Sequence, residues 1–411
     1  MARFRELLRD RDFSLLWFGQ MVSQCGDRLT QLALVAIVTG LRPGSAMELA
    51  LLIVCTTAPT FCVGPFAGVF VDRWDRRRTM IVCDLVRAAL VLGIAVLMML
   101  PGTLPLVYLS VFLIFSATRF FLLAKLALVP ELVTGDRLLL ANSVTGASGL
   151  VAAGLSFAVG GWVIVRAGVI GGLVLDMASY LVSAAALALM HVRFRTQQQG
   201  EPVVRVAVRS VWHDLVEGIR WLVGLRHLRA TILAMCLLWS AIGLLAVVGT
   251  VWVQHLLDTN PAHLGFLVSL LLAGVLVGSL LFGRIGGRWD RTQSMRWSLV
   301  GIGGTIVGLT LGLRFAPSAS LVGALMAVLG LVASPAAVCT PTVIQERLPQ
   351  DLRGRIFSSV TLLADGAMAV SLFIGAAFAD RFGAAKVLLA LGVGLCFGGL
   401  LGFRRSRMSA L

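Results

Sequence analysis

The chain has 411 residues, of which 58% are hydrophobic and 13% are charged, and its mean hydropathy is +0.93. Apolar segments of about 20 residues follow one another with short polar breaks, which indicates a chain that crosses a membrane many times. The alternating pattern of an outer-membrane barrel is missing, so helices must satisfy the backbone polar groups. The formal net charge of +15 does not indicate nucleic-acid binding, because the arginines lie in short loops rather than in a basic, aromatic-rich domain.

The hydropathy pattern predicts an all-α polytopic membrane protein with twelve transmembrane helices. The first apolar segment follows a charged start and is too long for the core of a signal peptide, so we expect it to remain as the first helix. The predicted spans are residues 13–40, 47–71, 79–100, 104–128, 138–165, 168–191, 229–256, 262–283, 295–314, 318–343, 354–379 and 384–403.

The basic residues at the ends of these spans sort by side. Twenty-six arginines lie on the side of both termini, and five basic residues lie on the other side. Because short cytoplasmic loops carry an excess of Lys and Arg, both termini are predicted to be cytoplasmic and the protein to be a multi-pass protein of the inner membrane.

An internal duplication organises the chain. The segment Gly68–Met80 recurs in degraded form as Gly283–Met295, and the same offset relates Glu131 to Glu346. The twelve spans therefore form two parallel six-helix pseudo-repeats.

The pseudo-repeats set the predicted domain boundaries. They occupy residues 1–191 and 229–411, and a cytoplasmic linker occupies 192–228. Apolar residues recur at helical spacing over 203–225, which predicts an amphipathic helix at the membrane surface. Two roles stay open for this helix, a plain connection or a regulatory binding site.

The loop between the second and third spans carries a motif, Gly68-x-x-x-Asp72-Arg73-x-Asp75-Arg76-Arg77. It resembles the signature Gly-x-x-x-Asp-Arg-x-Gly-Arg-(Arg/Lys) of the major facilitator superfamily, with Asp75 where that family usually has glycine. The resemblance covers the full length and implies the major facilitator fold. It also implies a cytoplasmic gate in which a carboxylate engages arginines and a helix end. We assign Asp72, Arg73, Arg76 and Glu131 to that gate.

Further segments resemble branches of this superfamily. Residues 11–17, Val129–Val133 and Asp351–Phe357 are similar to the drug:proton antiporter branch that includes macrolide-efflux and enterobactin-export proteins. Residues 124–142 are also similar to lysophospholipid transporters, a sister group. The resemblance therefore implies export of a drug-like compound, with lipid flipping as the alternative.

Two intramembrane carboxylates are predicted to couple protons to transport. A charge inside a span costs about 2.5–3.5 kcal/mol on insertion scales, so it is seldom kept without purpose. Asp27 lies near the middle of the first span, and Gln20, Gln24 and Gln31 share its helix face. Asp365 lies near the middle of the eleventh span. Burial disfavours the charged form of a carboxylate, so protonation could be linked to the inward or outward state.

Structural roles stay open for both acids. Asp27 could form an ion pair with a residue such as Arg119, and Asp365 could be a buried acid held by a nearby serine.

The other charged residues within spans receive different predictions. Arg119 and Lys125 of the fourth span are candidate substrate-binding cations, although Lys125 is close enough to the span end to snorkel. Asp84 and Arg87 are predicted to form a local pair, and Asp176 is assigned to the scaffold. Together with Gln24 and Gln31, the substrate-binding candidates from the second half are Trp239, Gln254, Thr340 and Thr361.

No enzyme, metal or cofactor chemistry is predicted. The seven cysteines and five histidines show no metal-ligand spacing, and no Ser/His/Asp order or nucleotide loop is present. The sequence predicts a secondary transporter that exports small amphipathic compounds, such as a drug or a siderophore, by proton-coupled alternating access. Its expected partners are the substrate, protons and membrane lipids, and a monomer suffices. The alternatives are a lysophospholipid flippase and, more remotely, a membrane sensor or scaffold.

Overall fold

The structure is a computed structural model that describes residues 9–71, 73–100, 102–133, 137–191, 229–257, 261–285, 289–315, 318–347 and 353–408. Every regular element in these ranges is a helix, which confirms the predicted all-α fold. The helices are α1 (Arg11–Leu41), α2 (Ala46–Cys62), α3 (Gly64–Val71), α4 (Arg76–Leu97), α5 (Leu104–Leu132), α6 (Arg137–Ala188), α7 (Arg229–Leu244), the π-helix π1 (Leu245–Gly249), α8 (Thr250–Leu257), α9 (Pro261–Ile285), α10 (Arg291–Phe315), α11 (Ala319–Arg347), α12 (Arg353–Phe382) and α13 (Ala384–Met408).

These helices cover all twelve predicted spans. Within the described ranges, eight helices are long and apolar enough to cross a membrane, and two shorter apolar helices accompany them. The count of twelve crossings therefore stays a prediction. The predicted amphipathic helix at 203–225 lies outside the described residues.

Local sequence explains where several helices begin and break. Asp10 accepts hydrogen bonds from the backbone N–H groups of Asp12 and Phe13, both at 3.1 Å, and thereby caps α1. Asp75 caps α4 in the same way, accepting from the N–H of Arg78 at 2.8 Å. Inside α6, Gly168 takes φ of +74°. Only glycine adopts that conformation readily, so α6 breaks where the second of its two predicted spans begins.

The chain divides into two compact units. The first comprises Met1–Leu41 and Leu51–Val211, and the second comprises Arg42–Ala50 and Trp212–Leu411. In the first unit, α1 packs on α6, and α4 packs on both α5 and α6. The apolar core at one end of this unit includes Phe13, Met80, Phe121, Leu128 and Leu187.

In the second unit, α9 packs on α11, α10 packs on α13 and α11, and α7 packs on α12. Glycines permit close backbone approach at two of these crossings. A Cβ at Gly274 or Gly330 would overlap the backbone of the facing helix, and the same holds for Gly303 and Gly392. Small residues at helix crossings are typical of membrane bundles, where helix association depends on close packing.

Candidate functional site

The polar centre of the first unit is built around Asp27, on α1. Its side chain is partly exposed. The phenol of Tyr180 on α6, which is 1% exposed, donates a hydrogen bond to Asp27 Oδ1 at 2.5 Å. Asp27 forms no ion pair with another residue in the described part of the chain. The alternative of an ion pair with Arg119 is therefore not the arrangement seen here.

A second carboxylate, Asp176, lies one helical turn before Tyr180 and is fully buried. One of its oxygens accepts a hydrogen bond from the hydroxyl of Thr30 on α1. The other accepts from Ser179 at 3.1 Å. A Cβ at Gly26 would overlap the side chains of Ser179 and Asp176. Glycine at this position therefore lets α1 approach the carboxylate closely.

Arg87 supplies the fully buried cation of this region. It is 2% exposed and pairs with Asp84, which is 0% exposed, so the predicted local pair is present. Its guanidinium carbon lies 4.5 Å from the ring centroid of Phe121 and 4.5 Å from that of Tyr180. Cation–π contacts are strongest when the cation is desolvated. Arg87 is thus held between two rings and a carboxylate.

The side chain of Lys125, on α5, points towards α1. Its ammonium donates to Gln20 Oε1 on α1 at 3.1 Å. Gln20 is only 6% exposed, so the lysine reaches towards α1 instead of snorkelling away from it. Arg119 lies nearly two turns earlier on α5 and is partly exposed.

The predicted polar stripe of α1 meets several different partners. Gln24 Oε1 lies 2.8 Å from the position that a Cβ would take at Gly149 of α6. Gln31 accepts from Arg28 Nη1 at 2.9 Å, and the Arg28 guanidinium lies 5.6 Å from the centroid of the Phe157 ring. The stripe is therefore occupied by contacts within the unit along most of its length.

At the gate motif, Arg76 joins α4 to α5. It forms an ion pair with Glu131 and donates to the carbonyl of Ala127 at 3.1 Å. Two gate residues thus contact each other. Arg73 is partly exposed, and Asp72 lies outside the described residues.

The candidates in the second unit are spread over several helices. Trp239, Gln254 and Asp365 are partly buried. The hydroxyl of Thr340, which is 4% exposed, donates to the carbonyl of Ala336 within its own helix at 2.6 Å. The side chain of Thr361 is not among those described.

Helices α7 and α12 approach each other near two of these candidates. Ser240, next to Trp239, donates to the carbonyl of Ala367 at 3.2 Å. Ser371 donates to the carbonyl of Ser240, also at 3.2 Å. Asp365 lies two residues before Ala367, so these bonds place its helix turn against α7.

Sequence reasoning missed the hydrogen-bond partners at the crossing of α1 and α6. It assigned Asp176 to the scaffold and did not single out Tyr180 or Thr30. A readable signal existed, because Asp27 and Thr30 are spaced i, i+3 and Asp176 and Tyr180 are spaced i, i+4. Each helix therefore carries a carboxylate and a hydroxyl one turn apart.

Apolar helices in two compact units, with ionisable side chains held inside, are typical of multi-pass membrane proteins that move ions or solutes. The family model of the Major Facilitator Superfamily matches residues 16–371, and the chain belongs to that family. This confirms the resemblance drawn from the motif at Gly68–Arg77.

Alignments with two efflux proteins cover nearly the whole chain. The multidrug efflux pump Tap of Mycolicibacterium fortuitum is 26% identical over 405 residues, which are 97% of this chain and 96% of that protein. The macrolide efflux protein A of Streptococcus pyogenes is 26% identical over 383 residues, 90% of each chain. Both agree with the branch indicated by the sequence motifs.

Solved structures confirm the fold. A bacterial homologue of the iron transporter ferroportin matches with a TM-score of 0.71 at 16% identity, covering 96% of this chain and 98% of that one. A POT family transporter matches with a TM-score of 0.75 at 13% identity, covering 97% and 96%.

Proposed function

We propose that this protein exports a small amphipathic compound, drug-like and cationic or zwitterionic, across the bacterial inner membrane in exchange for protons. The observation that carries the proposal is that the Asp27 carboxylate is hydrogen-bonded by a neutral group, the phenol of Tyr180. A partly exposed carboxylate in the middle of an apolar helix has no bonded cation, so it is available to a proton or to a cationic substrate. The similarity to a multidrug and a macrolide efflux protein supports the drug class.

The transport cycle would use the two six-helix halves. In parallel-repeat transporters the halves rock around a site near the membrane midplane. Asp27 would bind the proton or the cation, Asp365 would assist from the second half, and Arg119 and Lys125 would adjust the field around the substrate. Gln24, Gln31, Trp239, Gln254, Thr340 and Thr361 complete the proposed substrate-binding set.

The gate would open and close at the cytoplasmic side. The Arg76–Glu131 ion pair supports this role, because it joins α4 to α5 beside the motif that also contains Asp72 and Arg73. Both termini would be cytoplasmic, and a monomer in contact with membrane lipids would suffice.

The test is transport by the full chain in liposomes that contain a pH-sensitive dye. Ethidium, erythromycin, a siderophore and a lysophospholipid serve as probes. We expect ethidium or erythromycin to move protons in wild-type liposomes and to lose at least 90% of that flux in Asp27→Asn.

Asp290→Asn is the matched control. Asp290 accepts from the N–H of Gln293 at 2.8 Å in an exposed position before α10, and Asn caps a helix as well as Asp does. Full transport by Asp27→Asn would refute the proton role of Asp27. Lysophospholipid movement without a proton signal would make the protein a flippase instead.

A further inference from the structure

Helices α1 and α6 exchange two side-chain hydrogen bonds in a reciprocal arrangement. Asp27 of α1 accepts from Tyr180 of α6 at 2.5 Å, and Asp176 of α6 accepts from Thr30 of α1. The carboxylate and the hydroxyl are three residues apart on α1 and four residues apart on α6. Each helix therefore supplies one acid and one donor to the same crossing.

The donors to both carboxylates are neutral hydroxyls. Asp176 is fully buried, and its donors Thr30 and Ser179 are 3% and 7% exposed. Neither Asp176 nor Asp27 has an ion pair with a residue in the described ranges. A buried carboxylate without a cation, such as Asp176, is costly to ionise, and two neighbouring carboxylates cannot both ionise easily. The pair therefore favours holding a proton.

The charged groups around the pair come from α4 and α5 as well as α1. Asp27, Arg87 and Tyr180 act electrostatically on Asp176 or on its neighbours, and Asp84 and Lys125 belong to the same field. Arg28 of α1 and Arg119 of α5 are further cations on these helices, and Arg28 donates to Gln31.

The buried cation beside the pair already has an ion-pair partner. Arg87 bonds to Asp84 and stacks on Tyr180 at 4.5 Å. Its Nε is buried and has no hydrogen-bond partner in the described part of the protein. Arg87 thus contributes a positive field through the Tyr180 ring, and it does not neutralise either carboxylate of the pair.

We propose that Asp27 and Asp176 form one proton-binding pair, in which Asp176 is a second acid of proton coupling. This inference rests on the proposed function. The pair holds one proton while the substrate is absent. When a cationic substrate reaches the partly exposed Asp27, that proton leaves to water, and both carboxylates stay ionised with Tyr180, Thr30 and Ser179 as donors. The proton returns from water when the substrate leaves.

This arrangement separates binding from coupling. Asp27 is accessible and contacts the cation, whereas Asp176 is buried and acts only through its charge. Two adjacent carboxyls bind their first proton more readily than a single one does, so removing Asp176 removes the shared proton. The substrate then binds Asp27 without displacing a shared proton.

The experiment measures ethidium binding and ethidium-evoked proton release by the purified full chain in weakly buffered detergent between pH 5 and pH 9. We expect Asp176→Asn to bind ethidium at pH 7 at least as tightly as wild type and to release less than a fifth of the protons. The midpoint of release is expected to fall by about one pH unit or more. Asp27→Asn is expected to lose both binding and release, and Asp290→Asn neither.

A second variant gives the opposite sign and does not depend on Asp176→Asn folding. Thr30→Val keeps the side-chain shape but removes one hydrogen-bond donor to the Asp176 carboxylate. Loss of that donor favours the protonated form of Asp176. The midpoint of release is therefore expected to rise. General destabilisation cannot move the midpoint of proton release in opposite directions in Asp176→Asn and Thr30→Val.

The outcomes separate this inference from the proposed function. If wild type binds ethidium without releasing protons, proton antiport and the pair are both wrong. If wild type releases protons and both variants keep its midpoint, only the role of Asp176 is wrong. Release that occurs only with sodium present would also overturn the pair.

Discussion

The buried ion pair of α4 offers a direct test of the energetics in the first unit. We expect Asp84→Leu and Arg87→Met each to destabilise the protein, while the double variant is more stable than either single variant. Both side chains are almost fully buried, at 0% and 2% exposure. Removing one partner of such a pair leaves an uncompensated buried charge and costs about 3–5 kcal/mol, whereas replacing both by apolar residues is often neutral.

Two further features refine the magnitudes. Arg87 also stacks on Phe121 and Tyr180, and each desolvated cation–π contact contributes about 2 kcal/mol. The double variant therefore retains a cost of about 1–4 kcal/mol from those lost contacts. The two single variants are also expected to lose different amounts of stability, Asp84→Leu more than Arg87→Met at the charge that is left behind. Asp84 can neutralise itself by binding a proton after Arg87→Met, but the guanidinium of Arg87 cannot lose its proton after Asp84→Leu.

The assay is equilibrium unfolding in mixed micelles, followed by tryptophan fluorescence. The matched control is the pair of Arg78 with Asp75, which is 4.0 Å long and has side-chain exposures of 86% and 31%. Arg78→Met is expected to change the free energy of unfolding by less than about 0.5 kcal/mol. If the two single changes at Asp84 and Arg87 add up to the double change within about 0.5 kcal/mol, the two residues are not coupled and the reasoning fails.

Further predictions concern close helix contacts and the gate. Gly303→Ala is expected to cost about 1–3 kcal/mol, because its Cβ would meet the backbone of α13. Its neighbour Gly304→Ala, which faces open space, is expected to stabilise α10 by up to about 1 kcal/mol; thermal unfolding checks both signs. Gly26→Ala should destabilise like Gly303→Ala and also reduce drug-evoked proton release, measured with a pH dye. Arg76→Gln and Glu131→Gln are each expected to slow liposome transport but to change stability by less than about 1 kcal/mol, because both side chains are partly exposed; normal transport in both variants would remove the pair from the gate.

The fold could be predicted from the sequence because its signals are local or repeated. Apolar runs long enough to span a membrane predict helices, since lipid leaves the backbone no other partner than its own chain. The Asp84–Arg87 pair could be predicted for the same reason, as residues three apart on a helix are neighbours. The break inside α6 lies at Gly168, the first residue of the predicted span 168–191.

The contacts between distant helices could not be predicted in this way. The Thr30–Asp176 bond joins residues that are 146 positions apart, and the rotation of α6 about its own axis decides whether Asp176 meets α1 or lipid. Hydropathy does not determine that rotation, because the second half of α6 is apolar on most of its circumference. Asp176 was assigned to the scaffold because of the span in which it lies, without knowledge that its side chain faces α1.

The polar stripe of α1 shows what spacing determines and what it leaves open. Gln20, Gln24, Asp27 and Gln31 share a helix face, as their spacing predicts, yet they engage α5, two parts of α6 and a neighbour on α1 itself. Spacing determines the face, whereas the neighbours determine the chemistry. A carboxylate on such a face becomes a candidate for proton binding only when its partner supplies hydroxyls instead of a cation. In this protein that condition is met twice at one crossing, at Asp27 and at Asp176, and the residue that makes the approach possible is Gly26.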